Sequence, residues 1–145
     1  MPWPLDERFR IPENRAILDF VQRDNPSAHD DVATVLTESA KGMSDAGWYC
    51  PDVQSYAYVV LHTQGNRIFG IAFGQSGLAY RLPPERIPEA VAEGGKVYPE
   101  IGDDWVMFEP WPPDEHIEVT LERPKRWCKI AHDHAVAPKA QRSGR

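Results

Sequence analysis

The sequence predicts an α+β domain, and three observations carry the prediction. Residues 56–82, YAYVVLHTQGNRIFGIAFGQSGLAYRL, hold the densest apolar patterning of the chain and read as three short strands joined by two tight turns. Two stretches with helical spacing precede them. A helix, a strand and a last helix follow. The expected architecture is two N-terminal helices and an antiparallel sheet of about four strands (the meander 56–82 plus 105–109). A short helix at 84–93 and a C-terminal helix at 125–136 complete it. Residues 1–136 are expected to fold as one domain, with 137–145 a disordered basic tail.

The elements follow from local chemistry. Met1 to Arg10 carries two prolines and mixed charge, which suits an arm laid over the domain. Pro12 and Glu13 suit a first helical turn, and Ile17, Phe20 and Val21 form one apolar stripe, so a helix is expected to about Arg23. Ser27 with Asp30 resembles a cap for a second helix, in which Val32, Val35, Leu36, Ala40 and Met43 recur at helical spacing. Residues 44–55 read as a linker. In the first strand Ala57, Val59 and Leu61 point one way, and Tyr56, Tyr58, Val60 and His62 the other.

In the second strand, alternation predicts Phe69, Ile71 and Phe73 on one face, with Ile68, Gly70 and Ala72 on the other. Small residues there would let a helix approach closely. Both faces read as buried, so this should be a central strand. Gly94-Gly95 ends the short helix, 96–104 is an irregular return, and Trp105 and Met107 oppose Val106 and Phe108 in the fourth strand. Pro124 is a good first helical residue, after which Trp127, Ile130, Ala131 and His134 should face inward.

Composition bounds the function. A 41% hydrophobic and 26% charged content is ordinary for a folded chain, and no apolar run approaches the ~20 residues that span a bilayer. MPWPLDERFR has neither the basic start nor the apolar stretch of a signal peptide, so a cytoplasmic location is expected. The net charge of −6 is uneven. Residues 82–122 carry eleven acids against Arg86 and Lys96, whereas 123–145 carry seven bases against Asp133. Mutual neutralisation of the two segments is the first expectation, and a nucleic-acid patch the second.

The turn and strand Gly65-Asn66-Arg67-Ile68-Phe69-Gly70, Leu82-Pro83 before the short helix, Gly94…Pro99 and Trp105-Val106 together resemble the YjbR-like (MmcQ) group of small bacterial α+β domains and the related TfoX N-terminal domain. The resemblance covers about residues 56–135. It implies the order helix–helix–three strands–helix–strand–helix and a bacterial accessory or DNA-binding-like module. It implies no activity.

No cofactor is expected for this chain, and three function classes remain open. The first is a non-enzymatic domain that binds another protein, of basic character, through an aromatic-rich surface of Tyr56, Tyr58, His62, Trp48 and Trp111. Those aromatics would instead be core if helices cover their face. An immunity-type role against a toxin fits this class. The second is a nucleic-acid accessory module using Arg67, Arg81, Lys125, Arg126 and Lys129. The third is a metal- or thiol-dependent enzyme. Cys128 and His132 are four residues apart on one helix face, and Cys50 and His62 would complete a metal site. Cys50, in WYCP, would be a nucleophile only with a histidine beside it. Two reduced, partly buried thiols are the plainer reading.

Overall fold

A computed structural model describes residues 6–24, 26–52, 54, 57–109 and 122–137. It is an α+β fold built on a six-stranded antiparallel sheet. The helices are α1 (Arg15–Asp24), α2 (Asp30–Ser39), α3 (Ile87–Ala92) and α4 (Glu122–Val136). The strands are β1 (Gly47–Tyr49), β2 (Val59–His62), β3 (Ile68–Phe73), β4 (Gly77–Arg81), β5 (Lys96–Val97) and β6 (Trp105–Phe108), in the spatial order β1-β2-β3-β4-β6-β5. The expected meander and fourth strand are β2, β3, β4 and β6. The two strands that periodicity did not predict, β1 and β5, are the two edges. With three and two residues respectively, neither is long enough to show an alternation.

Both faces of the sheet are covered. On one, α2, α3 and α4 pack Val32, Val35, Leu36, Ala90, Trp127, Cys128 and Ala131 against Val59, Leu61, Phe69, Tyr80, Val106 and Phe108. On the other, α1 and the turn Glu7–Phe9 bury Phe9, Ile17, Phe20 and Val21 against Tyr58, Val60, Ile71 and Trp105. All six residues of β3 are buried, as a central strand requires.

The face assignment within β3 departs from strict alternation. Leu61 pairs with Gly70 and His62 with Ile68, so Phe69 is an extra residue, a bulge. Ile68, Ile71 and Phe73 face α1, while Phe69 and Ala72 join the α2/α4 side. Gly70 also lies on that second side. A Cβ there would come within 3.2 Å of Leu61 and Tyr80 and 3.4 Å of Leu36, so the missing side chain lets α2 seat closely.

Helix boundaries shift for local reasons. The cap of α2 is His29, whose Nδ1 accepts from the Asp31 N–H at 3.1 Å. Ser27, expected as the cap, instead bridges Ala57, just ahead of β2. The last helix starts at Glu122, ahead of the expected 125, with Pro124 buried in its first turn, where a missing N–H costs no helical hydrogen bond. No helix among the described residues is long and apolar enough to cross a membrane.

Candidate functional site

The aromatic residues of the β2 face separate by position. Tyr58 is 2% exposed and belongs to the core under α1, where burial raises its phenol far above the ordinary value. It therefore offers no contact surface. The reason is the α1 stripe and Phe9, which need that face for their own burial. His62 is half-buried, its ring centroid 5.0 Å from that of Phe9 and its Nδ1–H donating to the Thr63 carbonyl at 3.0 Å. Burial lowers its pKa. Tyr56 and Trp111 lie outside the described residues.

Trp48 is different. It is 55% exposed, at the centre of the edge strand β1, opposite Leu61 of β2. Among the described residues nothing pairs with the outer side of β1. Beyond α2 the chain turns through Gly42, at φ +92°, and leaves an open groove of about 330 Å³ between the helix end and the strand. Ala40, Met43, Ala46, Trp48 and Leu61 supply its apolar lining. Glu38 and Lys41, paired at 3.9 Å, supply its charge. Asp45 is fixed beside it, its Oδ1 accepting from the Gln64 N–H at 2.8 Å. Among the described residues Glu38 is its only His, Cys, Asp or Glu lining residue, which is no metal-ligating set. An exposed indole, an adaptable methionine and an unpaired strand edge suit contact with another polypeptide.

The thiol and metal candidates are placed apart. Cys128 is fully buried between α4 and the sheet, and burial pushes its thiol up to about 11 despite the Ser39 hydroxyl beside it. Its neighbour in helical spacing, His132, donates from Nε2 to the Asp45 carbonyl at 3.0 Å and packs edge-on to Phe69. Cys50 donates to the Ala57 carbonyl at 3.6 Å and is pushed up by burial, the opposite of what an activated thiolate needs. His62 faces the Phe9 side of the sheet, whereas Cys128 packs on the α2/α4 side. Among the described residues no group of three or more His, Cys, Asp or Glu side chains is arranged to hold a metal ion. The residues proposed for one metal site therefore do not converge.

Four of the five bases considered for nucleic acid are engaged internally. Arg67 lies 3.6 Å from Glu13 and donates to the Ala135 carbonyl at the end of α4. Arg81 pairs with Asp104 at 2.7 Å and donates to the Glu13 carbonyl at 2.8 Å. Arg126 pairs with Glu89 and Glu93 and lies 4.9 Å from the Trp127 ring centroid. Lys129 pairs with Asp133 at 3.2 Å. Lys125 is exposed on the same helix. Arg67 and Arg81 do share a cleft of about 100 Å³ with Glu13, Asp104 and His134, but its formal charges cancel.

Sequence reasoning missed two features of this region. The contact between the acidic middle segment and the basic last helix takes a specific form, Glu89 and Glu93 on Arg126 and Trp127, where only net charge was legible. The groove beside Trp48 depends on how α2 ends relative to an edge strand three residues long, which no local pattern encodes. Compared with family models, with curated proteins and with solved structures, the chain matches none.

Proposed function

We propose that this chain is a non-enzymatic domain that works by binding another protein, with Trp48 and the adjoining groove as the contact centre. The observation that carries the reading is the indole of Trp48, 55% exposed on an edge strand beside an open groove of mixed polar and apolar lining. Aromatic anchors of this kind dominate binding energy where they are desolvated by a partner. An immunity-type role against a toxin belongs to this reading. So does kinship with the YjbR-like group, supported by the order of the principal helices and strands.

The nucleic-acid reading is less favoured because Arg67, Arg81, Arg126 and Lys129 already hold carboxylates of this chain. Duplex binding would have to break those pairs.

The test compares the wild-type chain with Trp48→Ala as immobilised bait. The variant should keep the wild-type thermal midpoint, since the side chain is exposed, while losing a partner that the wild type retains stoichiometrically. Equal recovery of that partner by both chains, or recovery of none by the wild type, would remove the proposal. Retained binding to mixed duplex DNA at low salt by the wild-type chain would favour the second reading.

A further inference from the structure

We infer that the opposite edge of the sheet, at β5, is a second interaction surface, and that it takes an extended, basic segment of a partner protein. The argument starts from hydrogen-bond parity. Tyr98 donates its N–H to the Trp105 carbonyl at 2.8 Å, so Lys96 and Tyr98 turn their backbone groups toward β6. By alternation the N–H and C=O of Val97 point outward, and among the described residues no strand lies beyond them.

The side chains around this edge add apolar area. Val97 is 37% exposed and Val91, on the neighbouring α3, is 48% exposed. These are two of the four large hydrophobic residues exposed among the described ones.

Charge selects the partner. Glu100 and Asp103, both exposed, flank one end of the edge, in the turn between β5 and β6. Glu109, also exposed and just past β6, instead lines a groove with His29, Gln75 and Ser76 beside the β3–β4 turn. Among the described residues neither Glu100 nor Asp103 has a cation within ion-pair distance of its carboxylate, unlike Glu89 and Glu93, which Arg126 neutralises; Arg23 reaches only the Glu100 backbone carbonyl and pairs with Asp24. Lys96 is the one base on the strand, and it belongs to the Tyr98 parity rather than that of Val97. An added strand with lysine or arginine at the end beside Glu100 and Asp103 and an apolar residue opposite Val97 would pair its backbone, cover both valines and meet the unpaired carboxylates. This is strand addition, with backbone bonds for affinity and the flanking charges for selection.

The probe is a synthetic peptide of alternating lysine and valine, with an alternating glutamate–valine peptide as control, read by amide NMR on the full chain. In the free protein the Val97 amide should exchange rapidly. Addition of the basic peptide should shift and protect it, and binding should weaken about tenfold or more between about 50 and 300 mM salt. Glu100→Lys with Asp103→Lys should abolish binding while leaving the spectrum of the core intact. Val97→Pro, tolerated at an outward edge position, should do the same by removing the outward donor. A Val97 amide already protected in the free chain would show the edge occupied by the chain itself and overturn the inference. So would equal binding of the acidic peptide, no binding of the basic one, or shifts confined to Trp48. The Trp48→Ala variant should bind the peptide normally, so the two surfaces stand or fall separately.

Discussion

Asn14 is fully buried and its side chain joins three segments of chain. Its Nδ2 donates to the Phe9 carbonyl at 2.9 Å and to the Asn66 carbonyl at 2.8 Å, and its Oδ1 accepts from the Ile68 N–H at 2.8 Å. One amide thus fastens the N-terminal turn, the β2–β3 turn and the first residue of β3. Replacement by alanine leaves the Ile68 N–H and the Asn66 carbonyl without partners, while the Phe9 carbonyl keeps the Ile11 N–H at 2.8 Å. A fully buried group costs about 1–3 kcal/mol when orphaned, and the Asn66 carbonyl, less deeply placed, is the one water can reach. The expected loss is about 2 kcal/mol. Against a typical total of about 5–15 kcal/mol this is substantial. In urea titration the midpoint should fall by about 1 M with little change in slope, and the thermal midpoint by roughly 7 °C. Asn14→Asp sharpens the test. A carboxylate still accepts from Ile68 but turns an oxygen toward two carbonyls, so it should cost at least as much at neutral pH. A loss below about 1 kcal/mol for Asn14→Ala, or wild-type stability for Asn14→Asp, would refute the reasoning.

Three further outcomes follow from burial and close packing. A Cβ at Gly95 would lie 2.6 Å from Val106 Cγ1 and 2.9 Å from the Ala90 carbonyl oxygen, so Gly95→Ala should destabilise the fold by about 1–3 kcal/mol in the same titration. His62 has its folded pKa lowered by burial, so its stabilising contribution is complete above its ordinary value of about 6.5 and shrinks as pH falls from there toward the folded value. Stability measured at about pH 7.5 and 5.5 should therefore drop less in His62→Gln than in the wild type, and an identical drop would sink the assignment. The Cys128 thiol, at about 11 when folded, makes the native state more stable below its ordinary value than above it. Stability should fall as pH rises through about 9 to 11, by about 2–3 kcal/mol in all, with Cys128→Ala flattening that slope. A thiol reagent at about pH 8 should correspondingly label Cys50 well before Cys128.

The helices and the inner strands were legible because each repeats its pattern over enough residues. Ile17, Phe20 and Val21 mark α1, and Val59 with Leu61 against Tyr58 with Val60 gives the two faces of β2 correctly. Strict alternation puts both Ile68 and Phe69 on the wrong faces because a bulge is a pairing event between two strands and leaves no mark on one of them. Capping by His29 was missed since imidazole is an uncommon cap, while Ser27 and Asp30 offered a familiar one. For the candidate site the limits are sharper. Trp48 and Tyr58 carry equal weight as aromatic residues in the sequence, and their fates differ because α1 covers one face of β2 and nothing described covers the edge at β1. The net charges of two segments foretold an attraction, but not that Arg126 would take up both Glu89 and Glu93 and so withdraw itself from any partner.

The bulge at Phe69 also acts as a phase shifter. Phe69 and Gly70, though consecutive, lie on the same side of the sheet, and Ile68 and Ile71, three positions apart, both lie on the α1 side. The extra residue thereby gives the α4 layer a large side chain, Phe69 against the His132 ring at 5.3 Å, next to the gap that Gly70 leaves for Leu36. Substitution and length change should have unlike consequences here. A different side chain at Phe69 alters one layer, and loss of Phe69 itself would restore regular alternation, with Ile68 and Ile71 still on the α1 side. Loss or gain of a residue elsewhere in β3 would set its two halves out of phase with the two helix layers.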